Sequence, residues 1–359
     1  MGTKVEVLSF DLFFRLIKFF SLDQVFWDCV IRPQKLWHRR TYMKYSGIGG
    51  QAVMEGVMMK NKDTYAVAVR KSDGEIIVEK KEYKNIFGDS GFVRLPLVRG
   101  VVNFIDSLVL GMSSLTFSAS FFEEEEGEKK ELTADEAARA KKKEDAMMGG
   151  TVVLSILLAV AIFMLLPYWL STFFVRLGWS DAGIAVAEGV LRVAIFLAYV
   201  VGISLMKDIQ RVYMYHGAEH KCINCIEHGM DLTVENVRKS SRLHKRCGTS
   251  FLFFVVIVSV VLFIFIRVES PLLRVGVRIL LIPLIAGISY ELIRLAGRSE
   301  GKIIGLLSKP GMTLQKLTTR EPDDDMIEVG IASVEAVFDW KTYIQKMREE
   351  EGITDSCCE

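Results

Sequence analysis

Two stretches of this sequence carry no charged side chain over most or all of the length of a membrane crossing, and they constrain every other reading. Residues 151–174 and 251–266 are uncharged throughout, and a spanning helix needs roughly 20 mostly apolar residues. Two further stretches, 182–206 and 272–290, are apolar but carry Glu188 and Arg192, and Arg274 and Arg278, towards their starts. A charge at mid-bilayer costs roughly 2.5–3.5 kcal/mol on the insertion scale, but near a helix end it can snorkel to water. The sequence therefore predicts a mainly α, polytopic membrane protein with about four transmembrane helices. Arg192 precedes Gly202-Ile203-Ser204 much as Arg278 precedes Gly287-Ile288-Ser289, which makes a hairpin repeat a candidate.

Basic residues set the expected orientation. Arg139 and Lys141 to Lys143 precede the first span, and the long loop between spans two and three is rich in Lys and Arg. Arg294, Arg298 and Lys302 follow span four. By the positive-inside rule the middle loop and both termini are cytoplasmic. The net charge of +1 gives no global pull towards nucleic acid. The expected partners are the lipid bilayer and a membrane-protein partner or second copy of the chain.

The remaining segments divide the chain further. Residues 1–45 form an interfacial region. Asp11, Arg15 and Lys18 share one helical face there among phenylalanines, which suits an amphipathic helix rather than a signal peptide. A soluble docking helix has the same pattern. Residues 46–122 form a small cytoplasmic α/β module, with a β-hairpin turning at Asp73-Gly74 and an apolar stretch, 97–122, expected to pack at the membrane interface or insert partly, with a fifth span as the alternative. Residues 123–147 are a charged linker, 148–206 the first helix pair, 207–250 the motif loop, 251–296 the second pair and 297–359 a cytoplasmic C-terminal region. Within that region 310–319 reads as loop, and 328–340 as a helix returning to cover the module.

The chemistry concentrates in the middle loop, which holds four of the five histidines. His216 and His220 are four apart, so on a helix their imidazoles lie one above the other and can reach one ion. Glu219 completes H-x-x-E-H, the inverted zinc-peptidase pattern, in which two histidines bind a divalent ion, here zinc, and the glutamate takes a proton from water. A third ligand is needed. His244 is favoured, with Glu291, Glu227 and Cys247 as alternatives that return to the same surface. Cys222-x-x-Cys225 is a rival metal or redox spacing, though such cysteines are more often small core residues. Gly49-Gly50-Gln51…Glu55-Gly56 offers Glu55 and Gln51 as further polar candidates, against a tight turn feeding a strand. Arg99 can bind an anion or anchor a helix.

Five motifs then acquire a common meaning: 49–59 (GGQAVMEGVMM), 96–100 (PLVRG), 215–221 (YHGAEHK), 244–250 (HKRCGTS) and 318–322 (TTREP). In this order they resemble the YqhQ family, a domain-of-unknown-function family of bacterial membrane proteins labelled predicted metal-dependent enzymes. The resemblance runs from about Gly47 to about Trp340. It implies a bacterial cytoplasmic (inner) membrane location, and its histidine–glutamate motif falls on His216, Glu219 and His220, its second motif on His244 and Cys247. Cys222 and Cys225 are not family positions. A membrane-surface metallohydrolase and a non-catalytic, metal-stabilised scaffold or assembly factor both suit this pattern.

Overall fold

The computed structural model describes residues 5–7, 44–88, 90–123, 134–268, 270–298 and 302–350. The amphipathic segment expected over 8–31, the acidic half of the linker (124–133) and the Cys357-Cys358 tail lie outside them.

Strands β2 (Gly49–Val53), β3 (Gly56–Asn61), β4 (Thr64–Arg70) and β5 (Ile76–Glu82) form one antiparallel meander. The β4–β5 hairpin closes through Asp73-Gly74, with Gly74 at φ 89°, as that dipeptide predicts. The β2–β3 turn is two residues, and Glu55 takes φ 49° there. Successive side chains of β3 and β4 point to opposite faces, and both faces are covered. On one, Val57, Met59, Ala66 and Ala68 pack with Tyr215, Ala218, Ile226, Ile327 and Val334. On the other, Val53, Met58, Val67 and Val69 meet Leu110, with Phe117 and Phe121 packed alongside.

That second cover is α1 (Val98–Glu123), which buries Val102, Asp106, Leu110, Ser114 and Ser118 at four-residue spacing. Asp106 accepts from the Tyr83 hydroxyl at 2.7 Å and the Ile86 amide at 3.3 Å. The opposite face, Ile105, Leu108, Val109, Met112 and Leu115, is exposed and apolar.

Among the described residues, five helical stretches are long and apolar enough to cross a membrane: Val98–Phe122, Gly149–Arg176, Asp181–Ser204, Gly248–Phe265 and Leu273–Gly297. The one beyond the expected four is α1. The linker's basic half is continuous with the first apolar helix: α2 (Ala134–Val160) passes through a π-helical turn, Ala161–Leu165, into α3 (Leu166–Arg176). Arg192 on α4 (Asp181–Ser204) donates from Nε to the Phe163 carbonyl of that turn at 3.1 Å. Arg192 and Arg278 do not snorkel. Both turn inward onto buried Glu188, at 2.8 and 2.7 Å, because a shared carboxylate inside the bundle satisfies them there.

Helices α5 (Lys207–Glu227), α6 (Val234–Lys239) and α7 (Gly248–Phe265) follow, then strand β6 (Ile266–Val268). Strand β1 (Val5–Val7) pairs antiparallel with β6. This sets residues 5–7 at the end of α7 remote from Cys247. The unpaired backbone beyond the helix end provides the strand partner. The fourth expected span is broken near Leu281 into α8 (Pro271–Leu280) and α9 (Ile282–Arg298).

The segment 310–319, read as loop because of Pro310, is helical within α10 (Lys302–Thr318). Proline in a helix costs about 3 kcal/mol. Packing of Leu314, Gln315 and Gly311 against α4 and α7 offsets that cost. The expected covering helix is α11 (Asp324–Val337), whose Ile327 and Val334 lie on the sheet. Helix α12 (Trp340–Glu350) ends the described chain.

Candidate metal centre

The H-x-x-E-H motif lies on α5, which two residues, Leu205 and Met206, separate from the end of α4. A glycine inside a helix is unfavourable by about 1 kcal/mol, and Gly217 has a specific reason to be there. A Cβ at 217 would lie 2.0 Å from the Arg320 carbonyl oxygen, and the Arg320 amide donates to the Tyr213 carbonyl at 2.9 Å. The 318–322 loop therefore docks directly on the motif's turn of helix.

Three side chains converge. His216, His220 and Cys247 place one ligand atom each within 4.8 Å of the others. His216 Nε2 is 3.2 Å from Cys247 Sγ, and the two imidazole centroids are 4.4 Å apart. His216 Nδ1 donates to the Thr318 carbonyl at 2.9 Å, and His220 Nδ1 to the Arg242 carbonyl at 2.7 Å. A carbonyl can only accept, so both Nδ1 atoms carry hydrogen and each Nε2 presents its lone pair when neutral. This is how metal-ligating histidines are held. Cys247 is the N-cap of α7, and its Sγ accepts from the Thr249 amide at 3.4 Å. The donor set, two imidazoles and a thiolate, fits a divalent transition ion with one position left.

Electrostatics match that use. Burial alone would lower the His216 pKa, but the Cys247 thiolate, Glu219 and the Thr318 carbonyl together raise it to about 9. Burial would likewise raise Cys247, and the charges of His216 and His220 instead hold its thiol well below the usual range. Glu219 lies against Gly50 of β2, where a Cβ would come 2.8 Å from its Cγ. Burial pushes its carboxyl up, and His220 and His216 offset this only in part.

His244, the favoured third ligand, is not in the group. Its backbone is clamped by Gln315, which accepts from His244 N at 2.9 Å and donates to His244 O at 2.7 Å. Its ring turns to Glu227, with Nε2 3.5 Å from Oε2, and stands 5.6 Å from the His220 ring. Cys247, three residues on, is the third member of the group, at the point where helix α7 starts. Glu227 holds Ser46 and Arg246 through Oε1, and Glu291 forms a two-pronged pair with Arg99 at 2.6 and 2.5 Å. Glu55 pairs with Arg211 and accepts from Tyr215 at 3.2 Å. Gln51 lies against Gly111. None of these five reaches the centre. Cys222 and Cys225 are buried core thiols raised by burial, Cys225 to about 11.

Residues that no metal-ligand pattern marks build the layer behind the centre. Buried Lys221 donates to the Arg238 and Ser240 carbonyls, each at 2.9 Å, and Asn224 to those of Ser241 and Leu243. They clamp the loop that delivers Arg242 O and Cys247. Lys221 and Asn224 follow the motif at helical spacing, which is the signal they offered.

A family model described as "Protein of unknown function (DUF1385)" matches residues 95–340. A relative from Bacillus subtilis (strain 168), "Uncharacterized protein YqhQ", is 35% identical over 286 residues, covering 79% of this chain and 90% of the relative. The chain belongs to this family. The matched range contains all three converging side chains, while the Gly49–Met59 motif precedes it. No solved structure matches the chain.

Proposed function

We propose that this protein is a membrane-embedded, zinc-dependent hydrolase working at the cytoplasmic membrane surface. Four apolar helical stretches, 149–176, 181–204, 248–265 and 273–297, would cross a bacterial inner membrane. Helix α1 would lie in the interface: its buried stripe faces a folded sheet, which does not belong in hydrocarbon, and its exposed apolar face would meet lipid. The basic middle loop and the described C-terminal region would be cytoplasmic.

The observation that carries the reading is a three-donor site, His216, His220 and Cys247, with a buried non-ligand carboxylate, Glu219, beside it. Structural zinc sites take four protein ligands, and catalytic ones three. The ion would supply Lewis-acid activation of water and of the scissile carbonyl or phosphoryl group. Glu219 would take the proton from water and return it to the leaving group, a role that suits a carboxyl raised by burial.

The burial of His220 and Cys247 favours a second reading, a closed centre that fastens α5 to α7 in a non-catalytic scaffold. Glu219→Gln separates the two. A hydrolase variant keeps its metal and its thermal stability but fails to complement a deletion strain. Full complementation by a metal-loaded Glu219→Gln protein would refute the hydrolase.

A further inference from the structure

Beside the centre, behind the loop that orients its histidines, lies a cavity of about 490 Å³ lined by Ser204, Met214, Arg242, Lys316, Thr319 and Arg320. Its charge is one-sided. Arg242, Lys316 and Arg320 line it, and Glu321, the one acid on its wall, is already shared between Lys221 at 2.8 Å and Arg242 at 3.2 Å. The Arg320 guanidinium donates to the Ser204 carbonyl at a long 3.4 Å.

Position adds a second constraint. Ser204 ends the apolar helix α4, and the neighbouring Leu205, Met206 and Leu317 are exposed by 71%, 55% and 40%. Cations next to exposed apolar side chains, one of them, Leu317, on the cavity wall and two directly following Ser204 in the chain, match the boundary between headgroups and acyl chains. A free phosphate would use the cations and leave the apolar side chains uncovered and most of the volume unfilled. An anionic phospholipid uses all three, because guanidinium and ammonium groups hold its phosphodiester while its chains lie along α4.

We propose that this cavity binds the phosphate headgroup of an anionic membrane lipid. The proposal rests on the membrane placement argued above and not on the metal.

The test uses the full chain purified in neutral detergent, with dioctanoyl-phosphatidylglycerol, dioctanoylglycerol and inorganic phosphate as probes in a binding titration. The phosphatidylglycerol should bind at least tenfold more tightly than either other probe. The Lys316→Gln/Arg320→Gln double variant, which alters two exposed side chains, should lose about tenfold in affinity with its melting temperature unchanged. Equal binding of dioctanoylglycerol would mean apolar contact alone and overturn the proposal. Inorganic phosphate binding as tightly as the lipid would assign a free-anion site and overturn the lipid source, and unchanged affinity in the double variant would overturn the cavity itself. Wild-type protein should bind the lipid equally before and after chelator treatment, so failure of the metal reading leaves this result standing. Alkaline carbonate extraction of the membranes reads the membrane placement separately.

Discussion

Replacing Gly217 with alanine sets two physical effects against each other. Inside a helix, alanine is favoured over glycine by about 1 kcal/mol, so propensity alone predicts a more stable protein. The structure predicts the opposite. The new Cβ would sit 2.0 Å from the Arg320 carbonyl oxygen, a backbone atom, when real contacts of this kind begin near 3.0 Å. The 318–322 loop must therefore retreat by at least about 1 Å. Overpacking of this type costs about 1–3 kcal/mol, enough to cancel or exceed the propensity gain. The larger effect should fall on metal binding. The same loop presents the Thr318 carbonyl that fixes His216 Nδ1, and loss of such a second-layer partner typically lowers metal affinity by about 10–100-fold. A chelator competition, run beside a thermal melt in detergent, reads both. A higher melting temperature with unchanged affinity would refute the docking of this loop on the motif.

Three other outcomes follow from the same geometry. In the metal-free protein His216 keeps its proton up to about pH 9 while Cys247 is already a thiolate. An ion taking His216 must displace that proton, so affinity should rise about tenfold per pH unit from 7 to 9 and level off above; pH-independent affinity over that window would contradict the pair. Glu227 is held down to about 2 because His244, Arg246 and the Ser46 amide outweigh burial, which acts the other way. Its folded pKa lies below its unfolded one, so its stabilising contribution is present above about pH 4.5 and lost as pH falls towards 2. Glu227→Gln should thus destabilise by about 3–5 kcal/mol at neutral pH and by less in acid, measured by denaturant titration at several pH values. A nitroxide at Leu108 of α1 should report a shallow, headgroup depth and one at Leu157 a deep position; equal depths would make α1 a fifth span.

The parts of the site legible in the sequence were those set by local spacing. His216 and His220 at i and i+4 on a helix meet whatever surrounds them, and Asp73-Gly74 turns a hairpin by its own backbone preference. Cys247 was among the candidates, but choosing it over His244 depends on where α7 begins and how it docks on α5, separations that no local pattern encodes. Thr318 and Arg242 act through carbonyl oxygens, which every residue possesses, so their side chains gave no signal. Pro310 misled because its local penalty is visible in the sequence, whereas the packing of Gln315 on Ser250, with a donor distance of 2.7 Å, is not. Arg192 and Arg278 misled similarly: each alone reads as a snorkelling charge, and only the fold brings both to Glu188.

The most direct test of the centre is X-ray absorption at the metal edge of the purified full chain, with metal content measured on the same sample. The expected result is about one zinc per chain, with two nitrogen ligands at about 2.0–2.1 Å, one sulfur at about 2.3 Å and one further light atom. Cys247→Ser should remove the sulfur signal. A metal-free wild-type protein, or a bound ion whose shell contains no sulfur, would contradict it.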